Sequence, residues 1–264
     1  MDGERYFQLM GTAAGPGVPS FFCDCAGCEE AKRNPQLSRA RCGARVHVDG
    51  KDLLIDTSPD LRYQLVRFEV NEITEIFLTH WHHDHCGGIG ELEYYIQLHH
   101  RAPLRLHLPA SAIQPFLHAY PNLGEIFELM PWVWGKTINH GALTITGLEA
   151  NHGIETGGVL VRSAEVSVAY FPDTAGLPEA TLRQLEGVDW LICDATFTGE
   201  NWFPGTHMTL GEAIALGKTV KAKHIVPTHF AVHFSEPVTN SDLAALVCNE
   251  PNVFIAQDGM KIPL

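Results

Sequence analysis

Basic residues are scarce in this chain: 18 Lys and Arg stand against 31 Asp and Glu in 264 residues, a net charge of −13. Such a balance argues against a broad surface for nucleic-acid polymers or anionic membranes, while leaving room for a local basic pocket. Bound divalent cations would offset part of the charge. No apolar run approaches the length needed to span a bilayer. Met1-Asp2-Gly3-Glu4-Arg5 shows no basic stretch followed by an apolar one, so no signal peptide is visible and a cytoplasmic address is the expectation. In that reducing compartment the seven cysteines are not a disulfide framework. There is no linker, low-complexity tract or short-period repeat, which argues for one domain over 1–264. The 45% hydrophobic fraction fits a globule with a substantial core.

Against that plain background stands Thr79-His80-Trp81-His82-His83-Asp84-His85, with four strong metal-binding side chains, His80, His82, Asp84 and His85, inside six residues. The apolar run Ile76-Phe77-Leu78-Thr79 before it reads as a buried strand, and a helix-like pattern follows Gly87-Gly88 through Leu98. The ligands thus fall where a strand ends and a helix begins, a usual place for sites in α/β sheets. In extended chain His80 and His82 point to one side, and after the turn Asp84 and His85 approach from another. One ion rarely needs four groups from so short a segment, so two ions are the natural reading. A histidine-rich loop that binds nothing is the bland alternative.

Elsewhere the pattern predicts strands at 4–10, 44–48, 53–55, 105–108, 143–148, 158–161, 166–171, 190–193 and 224–227. Helices are expected at 60–68, 111–120 (interrupted by Pro115), 178–185, 209–220 and 241–247. The region 121–136 reads as aromatic and irregular, with Trp132 and Trp134 in the core or at a homodimer contact. Both halves begin rich in strands and finish in α/β alternation, which suggests two similar layers packed face to face.

Several later polar residues repeat the theme of an apolar strand ending in a potential ligand: His152, Asp173, Asp194 and His229. Singly, each is also explained as a turn residue, a cap or a strand end. Cys23-Asp24-Cys25-Ala26-Gly27-Cys28 gathers three thiolates that repel one another once ionised, a repulsion that zinc removes. The fourth ligand has to come from elsewhere, with His233 first and Cys42 second. Arg39, Arg41 and Arg45 either contact a second phosphate or are ordinary surface arginines. His207 precedes a helix whose start is marked by Thr209 and Glu212.

The set HxHxDH, a later His, an Asp and a final His resembles the metallo-β-lactamase superfamily. That resemblance implies an αβ/βα four-layer sandwich, a fold of the α/β (α+β) class, with a dinuclear site at one edge. It assigns His80, His82 and His152 to one metal and Asp84, His85 and His229 to the other, with Asp173 bridging. Asp194 has no place in the set and is left as a strand-end or cap residue. Asp56 resembles an aspartate that orients a ligand or the shared water, and is otherwise a turn residue before Ser58-Pro59. Imidazole and carboxylate suit zinc, manganese or iron, and the sequence does not choose among them.

Gly11-Thr12-Ala13-Ala14-Gly15, the cysteine cluster, Phe171-Pro172-Asp173-Thr174-Ala175-Gly176-Leu177-Pro178-Glu179 and Thr228-His229…His233 narrow the resemblance to PhnP-type phosphodiesterases. Those enzymes accompany carbon–phosphorus lyase and open cyclic ribose phosphates. The resemblance implies a structural zinc on Cys23, Cys25, Cys28 and His233 in a loop at about 11–43. This chain departs from the pattern by one residue, having three between His229 and His233 where the family has two. It further implies a phosphodiesterase using metal-activated water, in which Asp84 and Asp56 serve the catalytic centre and His207 protonates the leaving oxygen. The implied partner is a small cyclic ribose phosphate or nucleotide. A lactonase or thioesterase on the same scaffold, or a non-catalytic carrier of a pathway intermediate, is the alternative.

Overall fold

The structure, a computed structural model, describes residues 4–264. The first sheet uses β1 (Arg5–Gly11), β2 (Gly43–Val48), β3 (Lys51–Ile55), β4 (Ile73–Phe77), β5 (Leu104–Leu108) and β6 (Phe127–Pro131). The second uses β7 (Thr137–His140), β8 (Leu143–Ala150), β9 (Thr156–Arg162), β10 (Ser167–Phe171), β11 (Trp190–Asp194) and β12 (His224–Thr228). The last strand, β13 (Lys261–Pro263), returns to the outer edge of the first sheet beside β1. Strand order is β13-β1-β2-β3-β4-β5-β6 in one sheet and β12-β11-β10-β9-β8-β7 in the other.

Three apolar layers explain the stacking. Phe7, Val46 and Phe77 from the first sheet meet Val159, Tyr170, Ile192 and Val226 from the second in one cluster, the seam between the sheets. Behind the first sheet, Leu54, Ile76 and Leu106 pack on Leu61 of α2 (Leu61–Arg67) and Phe116 of α4 (Ile113–Ala119); the short α3 (His83–Cys86) lies on the same side through Cys86. Behind the second, Leu160, Ala169, Leu191 and Ile225 pack on Leu185 of α5 (Glu179–Leu185), Ala213 of α6 (Leu210–Thr219) and Leu243 of α7 (Asn240–Leu246). Ala31 of α1 (Ala26–Arg33) joins that outer layer. Helix, sheet, sheet, helix is the four-layer order; side chains alternate in direction along each strand, so both faces of a sheet are fed and the central strands are buried almost throughout.

Local details differ from the sequence pattern in instructive places. The strand before the histidine motif begins at Ile73 and ends at Phe77, so Thr79 and His80 sit past it in the loop. The continuous helix expected after Gly87-Gly88 is instead broken into a 3₁₀ turn at Ile89–Leu92 and a π turn at Tyr95–His100. Pro115 does not interrupt α4, because a 3₁₀ turn at Ala110–Ala112 precedes it and places the proline in the first α turn, where its missing N–H is not needed. The irregular region 121–136 contains β6. Trp132 is buried at 8% exposure and donates from Nε1 to the Leu78 carbonyl at 2.9 Å, so it belongs to the seam.

Candidate metal centre

β8, β10, β11 and β12 run the same way, as do β3 and β4 in the facing sheet, so their carboxyl ends meet at one edge of the seam. From those ends project Asp56, His80, His152, Asp173, Asp194 and His229. The chain is extended through His82 and then turns into α3, which brings Asp84 and His85 round from a second direction. Asp56 and His229 have φ of 63° and 62°, the left-handed region that side chains seldom adopt, and both are held there by buried contacts.

All seven expected ligands converge. His80, His82, His152 and Asp173 form one group whose donor atoms lie within 4.8 Å of one another, and Asp84, His85 and His229 form a second. His80 Nε2 and His82 Nδ1 are 3.0 Å apart, His82 Nδ1 and His152 Nε2 3.1 Å, and His85 Nε2 and His229 Nε2 3.3 Å. Asp173 Oδ2 stands between the groups, 3.4 Å from His80 Nε2 and 3.6 Å from His85 Nε2. Asp84 Oδ2 is 3.6 Å from both His85 Nε2 and His229 Nε2. A tetrahedral ion with metal–ligand bonds of 2.0–2.1 Å has ligand–ligand edges of about 3.3–3.5 Å. The cluster is already near those edges.

The outer nitrogens are fixed so that the inner ones face the centre. His85 Nδ1 donates to Asp56 Oδ2 at 2.7 Å, and Asp56 also accepts the Thr79 N–H at 2.8 Å. His152 Nδ1 donates to the Thr206 carbonyl at 2.7 Å, and His229 Nδ1 to Thr196 Oγ1 at 2.9 Å. This is the outer support that sets a ligating tautomer. Asp56 lies behind His85, fully buried, where it fixes that ring's outer nitrogen.

Protonation follows the same division. Burial, helped by the neighbouring His85, pushes His80 down to about 3, so it is neutral with a free lone pair. Burial also works against charge on Asp173, yet His229, His207 and His80 hold it ionised, well below the usual carboxylate range. At His85 burial opposes protonation but loses to Asp84 and Asp56, which lift it to about 9. In that carboxylate-rich half a proton is drawn to the place a cation would take. Neutral imidazoles and ionised carboxylates are the forms metal ligation requires.

A third grouping, Asp173, Asp194, His207 and His229, shares two members with the others. His207 Nδ1 lies 2.8 Å from Asp173 Oδ1, out of hydrogen-bond alignment, and 3.2 Å from Asp194 Oδ2, to which it donates. Burial disfavours a charged His207, but the two carboxylates outweigh it and raise it to about 10. Asp194 is not a mere strand end. It is fully buried, accepts the N–H groups of Thr196 and Met208 and the Thr196 hydroxyl, and so braces both His207 and, through Thr196, His229. Nothing local marked it; only its repetition of the strand-end theme hinted at it.

The cysteine loop makes the remaining centre. Cys23, Cys25, Cys28 and His233 lie within 4.8 Å of one another, with His233 Nδ1 3.2 Å from Cys28 Sγ. Backbone N–H groups of Ser20 and Cys25 donate to Cys28 Sγ and Cys23 Sγ. Burial, with Cys25 and Cys23 adding to it against the Ser20 N–H, raises Cys28 to about 12. The His233 Nε2 is buried without a hydrogen-bond partner, so no competing network holds the ring. Three crowded thiols and an otherwise unheld imidazole fit one tetrahedral zinc. Cys42, the other option, is buried elsewhere beside the Thr228 hydroxyl.

The arginines do not face the centre. Arg39 and Arg45 are buried and bonded to Thr12 and Asn240, and to Gln8, Tyr6 and Asp52, respectively. Arg41 pairs with Asp60 at 3.1 Å and donates from Nε to the Gly15 carbonyl.

No helix among the described residues is long and apolar enough to cross a membrane. The family profile described as the beta-lactamase superfamily domain matches residues 51–230, a span that holds all seven ligands of the paired groups. A solved structure titled as a new diphosphatase from the PhnP family superposes with a TM-score of 0.85 at 27% identity, covering 100% of this chain and 98% of that one. A coenzyme PQQ synthesis protein B of Methylobacterium nodulans is 27% identical over 234 residues, 73% of each chain. An octanoyltransferase of Porphyromonas gingivalis is 36% identical over 85 residues, which span 32% of this chain but only 17% of that protein. With the four-layer fold and the convergent His/Asp cluster, these findings identify the chain as a member of the beta-lactamase superfamily, a metal-dependent hydrolase of the metallo-β-lactamase fold.

Proposed function

We propose that the protein is a dinuclear metal-dependent phosphodiesterase acting on a small cyclic ribose phosphate or nucleotide phosphodiester. The observation that carries this reading is His207: a proton-bearing imidazole beside the paired ligand groups, braced by Asp194 and facing the same cavity. The full-length likeness to a PhnP-family diphosphatase supports phosphorus as the reacting centre. Two divalent cations, zinc, manganese or iron, would when bound supply an activated water near neutral pH and polarise the phosphoryl oxygens.

The chain's own residues do the rest. His80, His82 and His152 would hold one cation and Asp84, His85 and His229 the other, with Asp173 standing between the two groups. His207 Nδ1 is committed to carboxylates, which leaves Nε2 to carry the proton for the departing oxygen. Asp173 lies near His207 Nδ1, so sharing its charge with cations would stabilise the imidazolium less and make His207 a better acid. The cavity, about 210 Å³, has room for a small molecule, in keeping with the acidic composition.

The test is a substrate panel on metal-loaded protein: a cyclic nucleotide, bis-p-nitrophenyl phosphate and a homoserine lactone. Turnover of the phosphodiesters with little of the lactone is expected. Lactone turnover alone would overturn the reading in favour of acyl chemistry. Ligand binding without any turnover, unaffected by His207→Ala, would overturn the reading in favour of a non-catalytic carrier.

A further inference from the structure

The cavity beside the ligands has one aromatic side. Phe197, Phe203 and Phe234 line it together with His82, Asp84 and His207. Phe197 is buried, but Phe203 is 56% exposed and Trp202, next to it, 50%. Trp202 lies 5.5 Å from Phe234 and 6.2 Å from Phe197 between ring centroids, and Phe197 is 6.1 Å from His207. The rings therefore run without a break from His207 out to solvent.

The backbone that carries these exposed rings is fixed by hydrogen bonds. Asn201 Oδ1 accepts the Phe203 N–H, Asn201 Nδ2 donates to the His207 carbonyl, and the Thr206 and His207 N–H groups both donate to the Phe203 carbonyl. The loop backbone is fixed while Trp202 and Phe203 stay exposed, and an aromatic surface on an ordered loop loses less entropy when it is covered. No Lys or Arg lines the cavity among the described residues, and Arg39, Arg41 and Arg45 are engaged elsewhere. A second phosphate on the substrate finds no cationic partner there. A flat, uncharged ring finds a ready one.

Building on the phosphodiesterase reading, we propose that the substrate carries a nucleobase, and that Trp202, Phe203 and Phe234 form the platform on which that base stacks while its phosphodiester sits at the paired ligand groups. Base–aromatic stacking of this kind changes affinity by roughly tenfold or more per ring and tolerates any base, because every base has a π face. The three residues set specificity. They do not take part in bond breaking.

The experiment compares two phosphodiesters with the same reacting group on the metal-loaded full chain: 2′,3′-cyclic AMP and the base-free methyl riboside 2,3-cyclic phosphate. The wild type should prefer the nucleotide by tenfold or more in kcat/KM, and Trp202→Ala or Phe203→Ala should shrink that preference at least tenfold, mainly through KM. Equal use of both compounds by the wild type, or an unchanged preference in the variants, would overturn the platform while leaving the phosphodiesterase reading intact. A binding readout keeps the two separable: AMP should quench tryptophan fluorescence and ribose 5-phosphate should not, with the quenching lost in Trp202→Phe. Equal binding of the two ligands would also sink the proposal. Turnover of a lactone alone would instead overturn the reading on which it rests.

Discussion

Asp56 Oδ2 accepts the His85 Nδ1 proton at 2.7 Å, and through that one contact a residue hidden behind the cluster decides which nitrogen of His85 faces it. Outer partners of this sort are worth about 10- to 100-fold in metal affinity. Asp56→Ala should weaken cation binding at the Asp84–His85–His229 group by that factor, measured by competition against a chelator. The thiolate centre in the same preparation should keep its zinc.

His207→Ala should lower kcat toward phosphodiesters by about 10²–10⁴, the usual range for a lost general acid. Metal content by elemental analysis should stay at the wild-type value, because His207 is not one of the seven ligands. A substrate with a better leaving group, such as a p-nitrophenyl ester, should lose less, since it depends less on protonation. Equal losses on good and poor leaving groups would count against the acid role.

Asp194→Asn tests the brace. Asp194 accepts from His207, Thr196 and Met208 in the buried interior, so an amide there leaves at least one donor badly served. Such a defect costs about 1–3 kcal/mol. Activity should fall as well, with a shifted pH profile, because His207 loses a carboxylate that keeps it protonated. A stability loss with an unchanged profile would show that Asp194 serves the fold only.

Asp258 gives a pH dependence away from the metal centres. Burial raises its carboxyl from 3.8 to about 6, against the pull of the Ala40 N–H, the Thr12 hydroxyl, Arg39 and Arg67. Between about pH 4 and 6 the folded chain binds more protons than the unfolded one, so this group's contribution falls as pH rises through that window. Its ionisation then costs the fold on the order of 1–3 kcal/mol at neutral pH. In urea titrations, wild-type stability minus that of Asp258→Asn should drop across the window and level off above it. A flat difference would place the carboxyl at its ordinary value.

Cys28→Ser should remove one zinc per chain and lower the melting temperature by several degrees, while leaving the paired groups able to load. Elemental analysis and calorimetry check the two halves of that expectation.

The sequence carried most of the site because ligands cluster at strand ends, and strand ends are visible in apolar runs. His80 through His85, His152, Asp173 and His229 could each be located this way, and the resemblance sorted them into groups. Asp194 was not legible: an aspartate closing an apolar strand looks the same whether it caps a turn or braces an imidazole thirteen residues on. The choice between His233 and Cys42 was equally hidden, since it depends on where the Phe230–His233 segment passes the cysteine loop. β6 and β7 are hard to read because both are short edge strands with almost no fully buried residues to mark them. The aromatic platform lay in plain view as Trp202-Phe203, but its meaning comes from Phe234, brought beside it from another loop.

His80, His82, Asp84 and His85 hang from one sheet, and His152, Asp173 and His229 from the other. A cation pair at that edge would rivet the two leaves of the sandwich together, since only the assembled form offers the full coordination set. Loading should thus make the opening of the leaves harder by an amount that grows with the logarithm of free metal, and a cell starved of the ion would hold a protein that is looser as well as idle.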